Sequence, residues 1–211
     1  MNIPRRTLLK GGLAAAAQFL VGCGDTSQVK VQTERPLLGF KPVPFSKVGS
    51  PMPIVSEDYE FASLIPWGTS LQPDGPQYQH PATASAQAEQ VGIGHDGMKF
   101  FATRGNEAGM LAINHEYGRN AHVLGKLLPT SLADVRASQH AHGASVVKIA
   151  NKDGKWQRVA SEHARRIHGN SEMTFSGPAA DSSWLENEAG NTYRGTFSNC
   201  SNGFTPWDTY L

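Results

Sequence analysis

The sequence predicts an all-β fold, an incomplete scaffold of short strands with long loop insertions, preceded by a cleavable leader. Three observations carry this. The 211 residues include 22 Gly and 13 Pro, which favour short strands joined by many turns over a helical bundle. Apolar stretches flank turn dipeptides, Asp96-Gly97 within Val91–Phe101 and Asp153-Gly154 before Trp156, as hairpins require. Hydrophobic residues make up 39% of the chain, ordinary for a soluble globular protein. The formal charge is only +1, so no broad basic face points to nucleic acid as a partner. With two cysteines, one of them in the leader, no disulfide framework is expected.

In chain order, residues 1–23 come first. Pro4-Arg5-Arg6-Thr7-Leu8-Leu9-Lys10 resembles the twin-arginine export motif, which makes the twin-arginine translocase a partner during export. The uncharged run from Gly11 to Gly22 falls short of the roughly 20 apolar residues a spanning helix needs. Leu20-Val21-Gly22-Cys23 resembles a lipobox, in which Cys23 is lipidated and becomes the first mature residue; ordinary cleavage nearby is the alternative. The expected location is periplasmic or extracellular, with Cys23 acyl chains as the means of membrane anchoring if they are present. Residues 24–53 read as a tether and a lead-in whose five prolines from Pro36 to Pro53 interrupt any helix.

Residues 54–211 form the main domain. Tyr59–Trp67 is expected as an edge strand, 73–88 as a surface loop, and residues 54–150 throughout as short strands. Met110–Tyr117 reads as an apolar strand ending in Asn114-His115-Glu116. These three side chains can hold or orient metal, or simply complete a turn. Glu107 reads as solvated surface. His140 and His142 would share one face if they lay on a strand. Strands follow at 146–149 and from Trp156, joined through the Asn151–Gly154 turn. Arg165 and Arg166 can clamp a phosphate bidentately, or form structural ion pairs. Cys200, between Asn199 and Asn202-Gly203, is a candidate soft metal ligand or nucleophile, with a buried inert thiol as the alternative.

Asn199-Cys200, Gly203, Thr205-Pro206-Trp207 and Thr209-Tyr210-Leu211 together resemble the Asn-Cys-x-x-Gly-x-Thr-Pro-Trp-Gly-Thr-x-Leu signature of the PhoX family, bacterial alkaline phosphatases exported by the twin-arginine route. Leu38–Pro44, His95-Asp96-Gly97, Asn114-His115-Glu116, His142-Gly143, Arg165-Arg166-Ile167 and Gly177–Ala180 match further family segments, so the resemblance runs from Gly39 to Leu211. Three positions depart from it: His95 and Ser198 replace Asn, and Asp208 replaces Gly. The resemblance implies a β-propeller-like scaffold, of which this chain is the N-terminal part, because the family motif runs on into Cys-Glu-Glu. It implies hydrolysis of phosphate monoesters with calcium and iron as cofactors. Cys200 would be an iron ligand and Glu116 a metal-shell carboxylate, with Asn114 and His115 positioning that shell and Asp96 a further ligand candidate; no nucleophile is assigned. Taken alone, the chain is expected to be inactive and prone to aggregation, since a cut propeller leaves open edges. The alternatives are a non-catalytic surface lipoprotein or gene remnant on the same scaffold, and a different metal-dependent hydrolase such as a phosphodiesterase or lactonase.

Overall fold

β-Branched and apolar residues alternating along Met110–Ile113 and Val146–Ile149 place one row of side chains on each face of a sheet. In the computed structural model, which describes residues 39, 41–43, 45, 51–188 and 193–211, these runs form its two central strands. The leader, with Arg5, Arg6 and Cys23, lies outside the described residues. The chain divides into two units, Met1–Phe61 and Ala62–Leu211. In the first, the Tyr59 hydroxyl donates to the Gly39 carbonyl at 2.7 Å and Lys41 pairs with Glu57. Tyr59–Trp67, expected as an edge strand, is irregular. Pro66 ends any pairing there, because proline has no N–H to give a ladder.

The second unit holds an antiparallel meander of β1 (His95–Arg104), β2 (Ala108–His115), β3 (Gly143–Lys152) and β4 (Lys155–Arg158), with β5 (Arg165–Ile167) paired to the other end of β3. A two-residue Asp153-Gly154 loop joins β3 to β4, both residues with positive φ (54° and 79°), as a right-twisted hairpin prefers. The expected hairpin at Asp96-Gly97 is not one. Those residues lie inside β1, at a register shift between His95 and Met98, and the β1–β2 turn falls at 105–107. Bulges re-aim side chains, and this one lies beside Glu116. A small second sheet pairs β6 (Glu172–Met173) with β7 (Tyr193–Arg194). The sheets are open. Among the described residues no barrel or propeller closes, so the all-β expectation holds only as mostly antiparallel sheet.

Helices also enter where short strands and a surface loop were expected. They are α1 (Ala84–Gln87) in the 73–88 loop, α2 (Asn120–Leu124) and α3 (Leu132–His140). Helix α3 starts in a capping box, the Ser131 hydroxyl accepting from Asp134 N while the Asp134 carboxylate accepts from Ser131 N. His140 is therefore the last helical residue and His142 lies in the turn beyond, not on a strand.

One face of the sheet packs Ile113, Val147 and Ile149 on Ile65, Leu71 and Val91. A second cluster, Val123, Leu124, Ala137 and Ala141, ties the helices to Trp67 and Ile93. The buried amides are satisfied in series. Trp67 Nε1 donates to Gln87 Oε1 at 2.8 Å, Gln87 Nε2 to Gln90 Oε1 at 2.8 Å, and Gln90 Nε2 to the Pro76 carbonyl at 3.0 Å.

Candidate metal centre

Because side chains alternate along a strand, the Asn114-His115-Glu116 triplet divides between two faces. Asn114 and Glu116 face the Cys200 loop. His115 turns into the core, fully buried, with Nε2 2.8 Å from Ser145 Oγ and its ring edge-on to His95 at 5.0 Å between centroids. Burial, then the charge of Arg166, hold its pKa down to about 2, so it is neutral. The structure thus gives His115 a core position rather than a place in a metal shell. His95, where the family has Asn, stays exposed, its Nε2 donating to the Ile65 carbonyl at 2.8 Å.

Asp96, Glu116 and Cys200 do come together. Their ligand atoms lie within 4.8 Å of one another, with Asp96 and Cys200 exposed and Glu116 half-buried. The Cys200 thiol donates to the Glu116 carboxylate. That bond, followed by burial and the Glu116 and Asp96 charges, raises the thiol's pKa. Accepting hydrogen bonds from Cys200 and Asp96 lowers Glu116, and sharing a proton with Glu116 raises Asp96. Asp96 and Cys200 therefore hold their protons against the Glu116 carboxylate, which stays the acceptor between them. A soft sulfur beside two hard carboxylates fits iron, and the carboxylate oxygens suit calcium, so the donor set fits the expected metals.

The loop carrying Cys200 is pinned from the strands. Gly97 N donates to the Cys200 carbonyl at 2.9 Å, while Asn114 Nδ2 donates to the carbonyls of Cys200 and Ser201 at 3.1 and 3.0 Å. The Tyr210 hydroxyl closes the far side on Gly97 O at 3.0 Å. Asn114 thus holds the loop through its amide donors.

Two departures from the family signature fall where the backbone is left-handed, Ser198 at φ 55° and Asp208 at φ 62°. Asn and Gly suit that region better than Ser and Asp. The double change Ser198→Asn with Asp208→Gly should raise stability by about 1 kcal/mol, read as a higher denaturation midpoint. An unchanged midpoint would show that the loop carries no such strain.

Arg165 and Arg166 do not form a clamp. Successive residues on β5, they leave the strand on opposite faces. Arg166 spends all five N–H donors on backbone carbonyls: Nε on Gln90, Nη1 on Ala144 and Ile167, and Nη2 on His140 and His142. Burial lowers its pKa to about 9, still well above neutral, so it stays charged. Arg165 is exposed on the sheet's other face.

Beside Arg166, the rings of His140 and His168 stack at 3.8 Å. Burial lowers both pKa values, for His168 to about 4, with the charges of His140 and Arg166 adding to the latter. At His168 the unfolded chain takes up a proton near pH 6.5 while the folded chain refuses it until about 4. The His168 contribution is therefore complete above 6.5 and is lost as pH falls toward 4. The melting temperature should drop across that window, and His168→Gln should flatten the drop. An equal drop in the variant would assign the effect elsewhere.

The sequence reading missed Gly97, read as a turn residue, and the internal work of Arg166. Only the Asp-Gly pair next to a ligand candidate hinted at the first.

Residues 38–211 match the family described as alkaline phosphatase PhoX. The solved structure of Pseudomonas fluorescens PhoX in complex with vanadate, a transition state analogue, shares 39% identity and a TM-score of 0.68 with 74% of this chain. The chain spans 28% of that protein's length. No curated protein matches it.

Proposed function

The chain belongs to the PhoX alkaline phosphatase family, and from that premise we propose that it forms the metal-binding front portion of a phosphatase releasing inorganic phosphate from phosphate monoesters. The observation that carries the reading is the convergence of Asp96, Glu116 and Cys200, drawn from strands and a loop far apart in sequence. Cys200 would hold iron through its thiolate, with Glu116 and Asp96 supplying carboxylates to iron or calcium. Cations there supply charge neutralisation at the phosphate oxygens and a lowered pKa for an oxygen nucleophile. This chain's own contribution is positional. Asn114 and Gly97 hold the thiol against Glu116, and the bulge in β1 turns Asp96 toward both.

The substrate class rests on family membership and on the vanadate bound to the solved relative. We place residues 1–23 as the leader of a protein exported by the twin-arginine translocase, working in the periplasm or outside the cell, with Cys23 as its lipid anchor.

The test grafts these residues into the solved Pseudomonas protein in place of the matching part. Metal-loaded, the chimera should release phosphate from an aryl phosphate monoester, and Glu116→Gln should lower kcat by about 100-fold or more. A correctly folded, metal-loaded chimera that cleaves only diesters or lactones would contradict the monoester reading.

A further inference from the structure

The loop that carries Cys200 is pinned to the strands at the thiol, but its start rests on the turn at 168–171. Gly195 N donates to the Ser171 carbonyl at 2.7 Å. A Cβ on Gly195 would stand 2.3 Å from the Gly169 carbonyl carbon, and one on Gly169 2.4 Å from the Phe197 ring, so the two segments touch with no room for a side chain. From there Thr196 Oγ1 donates to Asn199 Oδ1 at 2.8 Å, one residue before the thiol. The turn at 168–171 is itself fixed to the end of α3. Gly169 N donates to the Gln139 carbonyl at 3.2 Å, and Asn170 Nδ2 to Gln139 Oε1 at 2.6 Å.

His168 begins this turn, and its Nδ1 accepts from Asn170 N at 3.1 Å, which leaves the ring proton on Nε2. Its face stacks on His140, whose Nδ1 donates to the Ala84 carbonyl at 2.8 Å. The charged and titratable groups around the pair are Arg136 on α3, Arg166 on β5 and His142, whose ring faces Phe197. All are bases, and among the described residues no carboxylate forms an ion pair with either ring. A proton added to His168 can go only to Nδ1. There it faces the Asn170 N–H donor to donor and puts a cation on the stack beside Arg166.

We propose that His168 is an acid-sensitive latch on the metal-binding loop: protonation at Nδ1 breaks its bond to Asn170 N, opens the turn at 168–171 and frees the start of the loop that carries Cys200. Its consequence, release of metal in acid, rests on the metal-centre reading above. Burial keeps the ring neutral down to about pH 4, so the latch is shut at neutral and alkaline pH. An opened turn returns the ring to water and to a value near 6.5, so each pH unit below that favours opening by up to about tenfold.

Amide exchange of the 211-residue chain between pH 6.5 and 4, corrected for the intrinsic rate, tests this. The Gly195 N–H reports the turn, the Gly97 N–H, bonded to the Cys200 carbonyl, reports the loop, and the amides paired between β2 and β3 report the sheet. Protection at Gly195 and Gly97 should fall about 100-fold across the window while the β2–β3 amides hold. His168→Gln, whose amide oxygen can still accept from Asn170 N, should cut that fall to about tenfold or less. His140→Gln should shrink it too, which keeps the test valid if the first variant fails to fold. Bound iron, read from its thiolate band, should be released over the same window and retained to lower pH in His168→Gln. An equal fall in parent and variants, a fall at Gly195 without one at Gly97, or an equal loss at the β2–β3 amides would each overturn the proposal. Amide exchange needs no metal, so a chain that binds no iron at neutral pH would sink the metal reading while the latch is still judged by Gly195 and Gly97.

Discussion

Arg166→Met is expected to destabilise the second unit by about 3–5 kcal/mol, the cost of removing one side of a buried, fully paired charge. The guanidinium reaches Gln90 before β1, His140 and His142 at the end of α3, Ala144 on β3 and Ile167 on β5. It thereby ties the segment before β1 and the end of α3 to the paired strands β3 and β5. Methionine fills a similar volume but leaves five carbonyls without their donor, each costing about 1–3 kcal/mol when buried and unsatisfied, not additively. Against a typical domain stability of about 5–15 kcal/mol, such a loss is a large share. Arg166→Lys keeps the charge with three donors for five acceptors and should fall between the two. Denaturant unfolding of the three proteins checks this. If Arg166→Met melted like the parent but bound phosphate analogues poorly, the residue would be the phosphate ligand the sequence suggested, not the strut described above.

Gly97→Ala is expected to weaken metal binding about 10–100-fold while costing the fold only about 1–3 kcal/mol. A Cβ at this position would stand 2.6 Å from Asn202 N, 2.8 Å from Asn202 Oδ1 and 2.8 Å from the Cys200 carbonyl. Two of those atoms are backbone, so the loop itself must retreat and give up the hydrogen bond from Gly97 N. The thiol would then move away from Asp96 on β1 and from Glu116 just past the end of β2. Iron affinity beside a melting curve separates the two effects. Parental affinity in the variant would mean that the close approach of loop to strand does not set the position of Cys200.

These two residues also show what could be read from the sequence. Cys200, Glu116 and Asp96 were legible as ligand candidates because each sat in a matched motif, and the structure brings all three together. The strands read at 110–117 and 146–149, inside or overlapping β2 and β3, and the Asp153-Gly154 hairpin were legible from alternation and turn chemistry. His115 was not separable from its neighbours, since the parity that buries it depends on which face of β2 meets the core. Arg166 was misread for a similar reason. A pair of arginines looks like a clamp until β5 sends them to opposite sides. The helices at 120–140 were passed over although the Ser131-x-x-Asp134 capping box was present, because the surrounding run of strands set the expectation. Gly97 looked like a turn residue because an Asp-Gly pair usually is one; only its register inside β1 reveals the bulge.

The central claim is that Asp96, Glu116 and Cys200 bind metal as one site. Iron titration of the chain and of Cys200→Ser, followed by optical absorption, tests it most directly. Saturable binding with a thiolate-to-iron charge-transfer band, lost in Cys200→Ser together with most of the affinity, is the expected result. Iron binding of equal strength in both proteins, without that band in either, would contradict it.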